Sequence, residues 1–118
     1  MSDQLYADVM ASSGVFHAPA LWVWETSNVL LVSARRRRLQ KEEVDAGLAL
    51  LSGCPIEFDA LPDAHRRAQT MRLAQVHGLT AYDAAYLELA LRLNSQLASA
   101  DQKLVEAATT CGIPCLNL

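Results

Sequence analysis

The sequence predicts an α/β sandwich of three layers, in which a short, mainly parallel sheet is flanked by helices. Two observations favour this class. Short apolar segments of strand type alternate with segments of helical periodicity through most of the chain. The chain also has 118 residues, of which 52% are hydrophobic and 19% charged, so one domain can bury a core. We therefore expect a single domain over residues 1–118.

The composition argues against several kinds of protein. No apolar run approaches the roughly 20 residues that cross a bilayer, and residues 1–10 lack the basic and then apolar order of a signal peptide. The 3 cysteines are an odd number without a second pair to complete a zinc site, so a disulfide framework and zinc are both weak interpretations. We expect a cytoplasmic protein with reduced cysteines and no membrane contact.

The N-terminal half is predicted to contain three helices and one brief strand. Residues 2–13 carry apolar residues on one side and predict a short helix. Residues 15–19 favour an extended segment, because Pro19 disfavours helix in the residue before it. Apolar residues at helical spacing then predict a helix over 20–37, and a second helix follows over 41–51.

The C-terminal half alternates strands and helices more regularly. Gly53 and Pro55 end the preceding helix, and Gly78 and Gly112 stand where helices are expected to end. Periodicity and these breakers predict strands over residues 56–59, 96–99 and 113–116, and helices over residues 61–77, 80–93 and 101–111.

Glu25 is the first residue that the fold alone does not explain. It lies three residues after Trp22 and four before Val29, beside the apolar stripe of its predicted helix. Carboxylates seldom lie there without a partner, so one interpretation is a half-buried ion pair with an arginine, and the other is a functional carboxylate. Asn28, one turn further on, could hydrogen-bond either a carboxylate or a backbone group.

Two aspartates have structural interpretations of their own. Asp83 follows Thr80 at the spacing of a capping box, in which each side chain satisfies a backbone amide of the first helical turn. Asp101 stands where a helix begins, and Asp is among the best N-caps, although Ser99 could serve the same purpose. Taken singly, neither aspartate requires a function.

The three acids are more informative together. In a parallel sheet the carboxyl ends of the strands and the adjoining helix starts lie along one edge, where ligands bind. Asp101 would follow a strand end, while Asp83 and Glu25 lie in the first turns of two helices, so the three could converge there. Oxygen donors without His or Cys suit Mg²⁺ or Mn²⁺, and such a site favours phosphate chemistry.

Three segments closely resemble consecutive signatures of PIN-domain proteins, in the same order and at the same spacing. They read PALWVWETSNVL over residues 19–30, GLTAYDAAYL over residues 78–87 and LASADQKL over residues 97–104. The chain looks most like the bacterial toxin branch of that family, the VapC type, over residues 2–116.

The resemblance implies a metal-dependent endoribonuclease that is the toxin of a type II toxin–antitoxin pair. By position, Glu25, Asp83 and Asp101 match acidic residues of the family, which would be both catalytic and metal-binding, with Mg²⁺ or Mn²⁺ as cofactor. The cation would activate a water molecule for attack on an RNA phosphodiester. The supporting residues are Asn28, Thr80 and Ser99.

One part of the family pattern is not matched. PIN domains open with an apolar strand at the centre of the sheet, which ends in a metal-binding aspartate, and this sequence starts after that point. Asp3 and Asp8 fall in the helix predicted over residues 2–13, so neither is assigned the role. We expect a PIN-like domain that lacks the first strand, either because its start is placed too far downstream or because the natural chain is short and repairs its sheet through another subunit. A short chain would bind metal weakly and cleave little RNA, and the alternative function is an inactive PIN-like module that oligomerises or binds an antitoxin.

Basic and apolar side chains predict the partners. Four consecutive arginines end the helix over 20–37 and could steer RNA, although a solvated helix end is an equally good interpretation. A second basic group lies on the helix over 61–77. The resemblance also implies a cognate antitoxin and a homodimer built by the early helices. The residues concerned are Arg35, Arg36, Arg37 and Arg38, then Arg66, Arg67 and Arg72, for RNA, and Leu5, Val9, Trp24 and Leu31 for the dimer surface.

Overall fold

The computed structural model describes residues 8–10, 16–36 and 38–117, which form five helices and five strands. Within these residues, no helix combines the length and the apolar character that a membrane crossing needs. The strands are β1 (Asp8–Met10), β2 (Phe16–Ala18), β3 (Ile56–Phe58), β4 (Gln96–Ser99) and β5 (Cys115–Asn117), and the helices are α1 (Leu21–Arg35), α2 (Lys41–Ser52), α3 (Ala64–His77), α4 (Ala81–Leu93) and α5 (Gln102–Thr110).

The strands form one sheet in the order β3-β2-β1-β4-β5. β2 pairs in parallel with β3, and β4 pairs in parallel with β5. β1 runs antiparallel to both of its neighbours, β2 and β4. The four strands other than β1 therefore share one direction, and helices connect them along the chain. This arrangement confirms the predicted α/β class with a mainly parallel sheet.

The helix predicted over residues 2–13 is wrong at Asp8–Met10, which form the central strand of the sheet. Val9 lies opposite Leu97 of β4 and opposite His17 of β2. Pairing with strands on both sides gives the backbone N–H and C=O groups of β1 hydrogen-bond partners, whereas a short helix leaves such groups unpaired at its ends. The strand is therefore favoured over the helix that the local sequence pattern predicts. The rest of that segment, with Asp3 and Leu5, lies outside the described residues.

Local capping sets the ends of the helices. α3 begins later than predicted, because Asp63 accepts a hydrogen bond of 2.9 Å from the backbone N–H of Arg66 and caps the helix. It ends as predicted at Gly78, whose φ of 64° is a left-handed conformation that glycine adopts without strain. Asn94 takes the same conformation after α4, with φ at 51°. The remaining elements that the sequence predicted differ from their predicted bounds by at most two residues.

The core forms around α4, the most deeply buried helix of the part of the chain that the structure describes. The side chains of Tyr86, Leu87 and Ala90 have no exposed surface. They belong to one apolar cluster with Leu97 of β4 and Leu104 of α5. The core therefore anchors α4 in a fixed position against the sheet and α5.

A network of four charged side chains fastens α3 and the segment after β3 to α4. The Asp59 Oδ2 atom accepts hydrogen bonds of 2.5 Å from Nη2 of Arg66 and of 2.5 Å from Nη2 of Arg92. Arg92 also donates to Glu88 through Nε at 2.9 Å and through Nη2 at 3.0 Å. The hydrogen bonds to Glu88 hold the pKa of the Arg92 guanidinium above its usual range, with a smaller contribution from Asp59. Arg66 is therefore held in an ion pair with Asp59.

Candidate active site

The candidate site lies at the edge of the sheet where the parallel strands end. Because β2 and β4 share a direction, the residues that follow Ala18 and Ser99 lie along the same edge. α1 begins shortly after β2, and Asp101 follows β4. The reversed direction of β1 also places the backbone of its first residue, Asp8, towards this edge, opposite Ala98.

Glu25 lies in the second turn of α1 and is half-buried. Its Oε1 atom accepts a hydrogen bond of 2.7 Å from the hydroxyl of Tyr86 on α4, so its partner is a tyrosine in place of the arginine that one interpretation expected. Burial raises the pKa of Glu25, the Tyr86 hydrogen bond lowers it, and the negative charge of Asp83 raises it further. The structure therefore brings Glu25 and Asp83 within electrostatic reach of each other.

Asp83 lies in the first turn of α4 and is only 7% exposed. Its backbone N–H donates a hydrogen bond of 3.1 Å to Oγ1 of Thr80, which is the N-cap predicted for this helix. A carboxylate at this position also benefits from the positive end of the helix dipole. The capping interpretation and a functional role for Asp83 are therefore compatible.

Asp101 caps α5 and stands just beyond the end of β4. Its Oδ1 atom accepts a hydrogen bond of 3.0 Å from the backbone N–H of Leu104. Its own backbone N–H donates a hydrogen bond of 2.9 Å to Oγ of Ser99, a buried residue. Ser99 thus shapes the turn that leads into Asp101, and Asp101 is the helix cap.

The other predicted site residues take no part in these hydrogen bonds. Asn28 is exposed on α1, one turn after Glu25. Arg35, in the last turn of α1, and Arg36 and Arg38, beyond it, are also exposed. Arg37 lies outside the described residues.

The chemistry of the donors fits a hard divalent cation. Glu25 and Asp83 are carboxylates that repel each other in a partly desolvated position, and a cation between them would relieve that repulsion. In residues 8–10, 16–36 and 38–117, however, no three His, Cys, Asp or Glu side chains are grouped closely enough to hold a metal. The fit to a divalent cation therefore depends on Glu25 and Asp83, and Asp101 lies at the same edge of the sheet.

Tyr86 is the residue of this site that sequence reasoning missed. Its ring is fully buried in the core. Its hydroxyl, however, contacts Glu25, which is 61 residues away in the sequence. The available signal was its position one turn after Asp83, which places both side chains on one face of α4.

Comparisons with known proteins agree with this geometry. The family model of the PIN domain matches residues 3–109. The chain is also 34% identical over 94 residues to "Ribonuclease VapC3" of Pyrobaculum aerophilum, and the alignment covers 76% of this chain and 69% of that protein. The fold, the acidic edge and both comparisons lead to one conclusion: the chain belongs to the PIN-domain family and, within it, to the VapC type.

Proposed function

We propose that the protein is a metal-dependent endoribonuclease and the toxin of a type II toxin–antitoxin pair. Membership of the VapC type indicates a nuclease at the level of the family. The observation that carries the proposal is the position of Glu25, which is half-buried, hydrogen-bonded to Tyr86 and close enough to Asp83 for the charge of Asp83 to raise its pKa, at the ligand-binding edge of the sheet. The printed name of the relative, a ribonuclease, supports RNA as the substrate.

Each acidic residue has a defined part in this proposal. Glu25, Asp83 and Asp101 would hold Mg²⁺ or Mn²⁺, and they are the catalytic carboxylates. When bound, the cation would activate water and offset the negative charge that grows on the phosphodiester. The hydroxyls of Thr80 and Ser99 keep the turns before Asp83 and Asp101 in shape through backbone hydrogen bonds. The supporting residues in the proposal are Asn28, Thr80 and Ser99.

The arginines at the end of α1 are the proposed contacts for RNA. Exposed guanidinium groups raise the local concentration of phosphates, even on a chain with a net charge of −3. This basic run therefore offsets the repulsion between the RNA and the acidic edge. The residues are Arg35, Arg36, Arg37 and Arg38.

Two kinds of protein partner are part of the proposal. A homodimer is supported by Trp24, which is 75% exposed, and by Leu31, which is 45% exposed and lies two turns further along the same face of α1. The other partner is a cognate antitoxin, as the VapC type suggests. Because its substrate is RNA, we propose that the protein acts in the cytoplasm. The remaining proposed dimer residues, Leu5 and Val9, lie outside the part of the chain whose side chains the structure describes.

An inactive PIN-like binding module is the second candidate. It is favoured by the observation that the described residues do not group three metal-binding side chains. Such a module would keep the surface around Trp24 for oligomerisation or for an antitoxin, and it would cleave no RNA.

Cleavage of a labelled RNA by the purified protein separates the two candidates. We expect cleavage with Mg²⁺ or Mn²⁺, none in EDTA, and a loss on the order of 100-fold in Asp83→Asn, because one carboxylate of the site is removed. Glu42→Gln is the matched control, since Glu42 is exposed on α2, and it should leave the rate unchanged. Absence of cleavage under all these conditions, with self-association or antitoxin binding retained, would favour the inactive module.

A further inference from the structure

Tyr86 joins the two helices that carry Glu25 and Asp83. Its ring has no exposed surface, and its hydroxyl donates the 2.7 Å hydrogen bond to Oε1 of Glu25. Asp83 lies one turn earlier on α4. Tyr86 therefore touches one carboxylate and shares a helix face with the other.

We propose that Tyr86 is a positioning residue for cation binding, which fixes one oxygen of Glu25 so that the other oxygen is presented to the cation shared with Asp83. This proposal rests on the proposed function, since it concerns the same site. A glutamate side chain loses rotamer freedom when it binds a cation, and a hydrogen bond that already orients it reduces that loss. The tyrosine hydroxyl donates this hydrogen bond, and a donor to a carboxylate oxygen supports the ionised carboxylate.

Packing of the core does not require the hydroxyl of Tyr86. A phenylalanine ring would fill the same apolar space, and a buried hydroxyl is tolerated only when it has a hydrogen-bond partner. Within the described part of the chain, the hydrogen bond from the Tyr86 hydroxyl to Oε1 is the only one made to the Glu25 carboxylate. The hydrogen bond from Tyr86 therefore holds the Glu25 carboxylate at the edge of the sheet and also gives the buried hydroxyl its partner.

Titration of Mn²⁺ alone into the purified chain, followed by electron paramagnetic resonance, tests the proposal. Tyr86→Phe should weaken Mn²⁺ binding by about 10- to 100-fold, the range typical for loss of a residue that orients a metal ligand. Tyr82→Phe is the matched control, because Tyr82 lies on the same helix and is 63% exposed, and it should bind as the unmodified protein does. With RNA as substrate, Tyr86→Phe should lower kcat at fixed Mn²⁺ and leave KM unchanged.

A variant without the Glu25 carboxylate separates positioning from general stability. On a Glu25→Ala background, Tyr86→Phe should cause no further loss of Mn²⁺ affinity, because the group through which it acts is absent. An equal loss on both backgrounds would overturn the proposal and assign Tyr86 a purely structural role. Equal Mn²⁺ binding by the unmodified protein and Tyr86→Phe would overturn the positioning role alone. Absence of Mn²⁺ binding in the unmodified protein would overturn the proposed metal site together with this inference.

Discussion

Replacing Asp59 by asparagine tests the network that fastens α3 to α4. The Asp59 carboxylate accepts three hydrogen bonds from Arg66 and Arg92, at 2.5, 2.5 and 3.3 Å. Loss of one partner in a fully buried pair costs about 3–5 kcal/mol, whereas fully exposed pairs contribute about 0–1 kcal/mol. The three side chains here are 19%, 22% and 31% exposed, so an intermediate cost of about 2 kcal/mol is expected.

Urea and thermal unfolding of Asp59→Asn measure this cost. A loss of about 2 kcal/mol in a domain of this length lowers Tm by about 8 °C. Glu57→Gln is the control, because Glu57 precedes Asp59 by two residues and its side chain is 71% exposed, and its effect should stay below about 0.5 kcal/mol. An effect of Asp59→Asn as small as that of the control would refute the reasoning that partial burial makes the network stabilising.

Three further predictions concern the site, the core and the RNA contacts. In EDTA, Glu25→Gln should raise Tm at pH 7, because burial and a neighbouring carboxylate raise the pKa of Glu25 above 4.5 and so make its ionised form destabilising. The gain should shrink as the pH falls towards 4.5, where protonation relieves the unmodified protein, and a gain independent of pH would contradict this. Leu87→Ala should lower the free energy of unfolding in urea by about 2–5 kcal/mol, because Leu87 is fully buried. Leu50→Ala is the control and should lower it by less than about 0.5 kcal/mol, because Leu50 is exposed. Similar losses for the two variants would contradict the described core. Joint replacement of Arg35 and Arg38 by alanine should weaken RNA binding in fluorescence anisotropy and reduce the slope of log Kd against log salt by about 1.4, whereas an unchanged slope would exclude them as phosphate contacts.

Much of the fold could be predicted because its signals are local. The strand Gln96–Ser99 was predicted with the bounds that it has, since the apolar or small residues at 97–99 lie between a helix end at Asn94 and a helix cap at Asp101. The left-handed end of α3 at Gly78 followed from the residue type alone. The strand Asp8–Met10 could not be predicted, because it depends on pairing with two strands that lie elsewhere in the sequence.

The candidate site could likewise be predicted only where its signals are local. The position of Glu25 beside an apolar stripe correctly indicated a half-buried carboxylate, and the cap roles of Thr80 and Asp101 followed from helix starts. The hydrogen bond from Tyr86 to Glu25 joins α1 to α4. A local sequence pattern does not show which two helices pack against each other, so this bond could not be predicted. The hydrogen-bond partner of Glu25 could therefore be identified only from the structure.

A calorimetric titration of Mn²⁺ tests most directly the central claim that Glu25 and Asp83 share a divalent cation. The account predicts one binding event for the unmodified protein, weakened by at least about 10-fold in Glu25→Gln and in Asp83→Asn. The claim would be contradicted if either variant bound Mn²⁺ as tightly as the unmodified protein, or if the unmodified protein bound none.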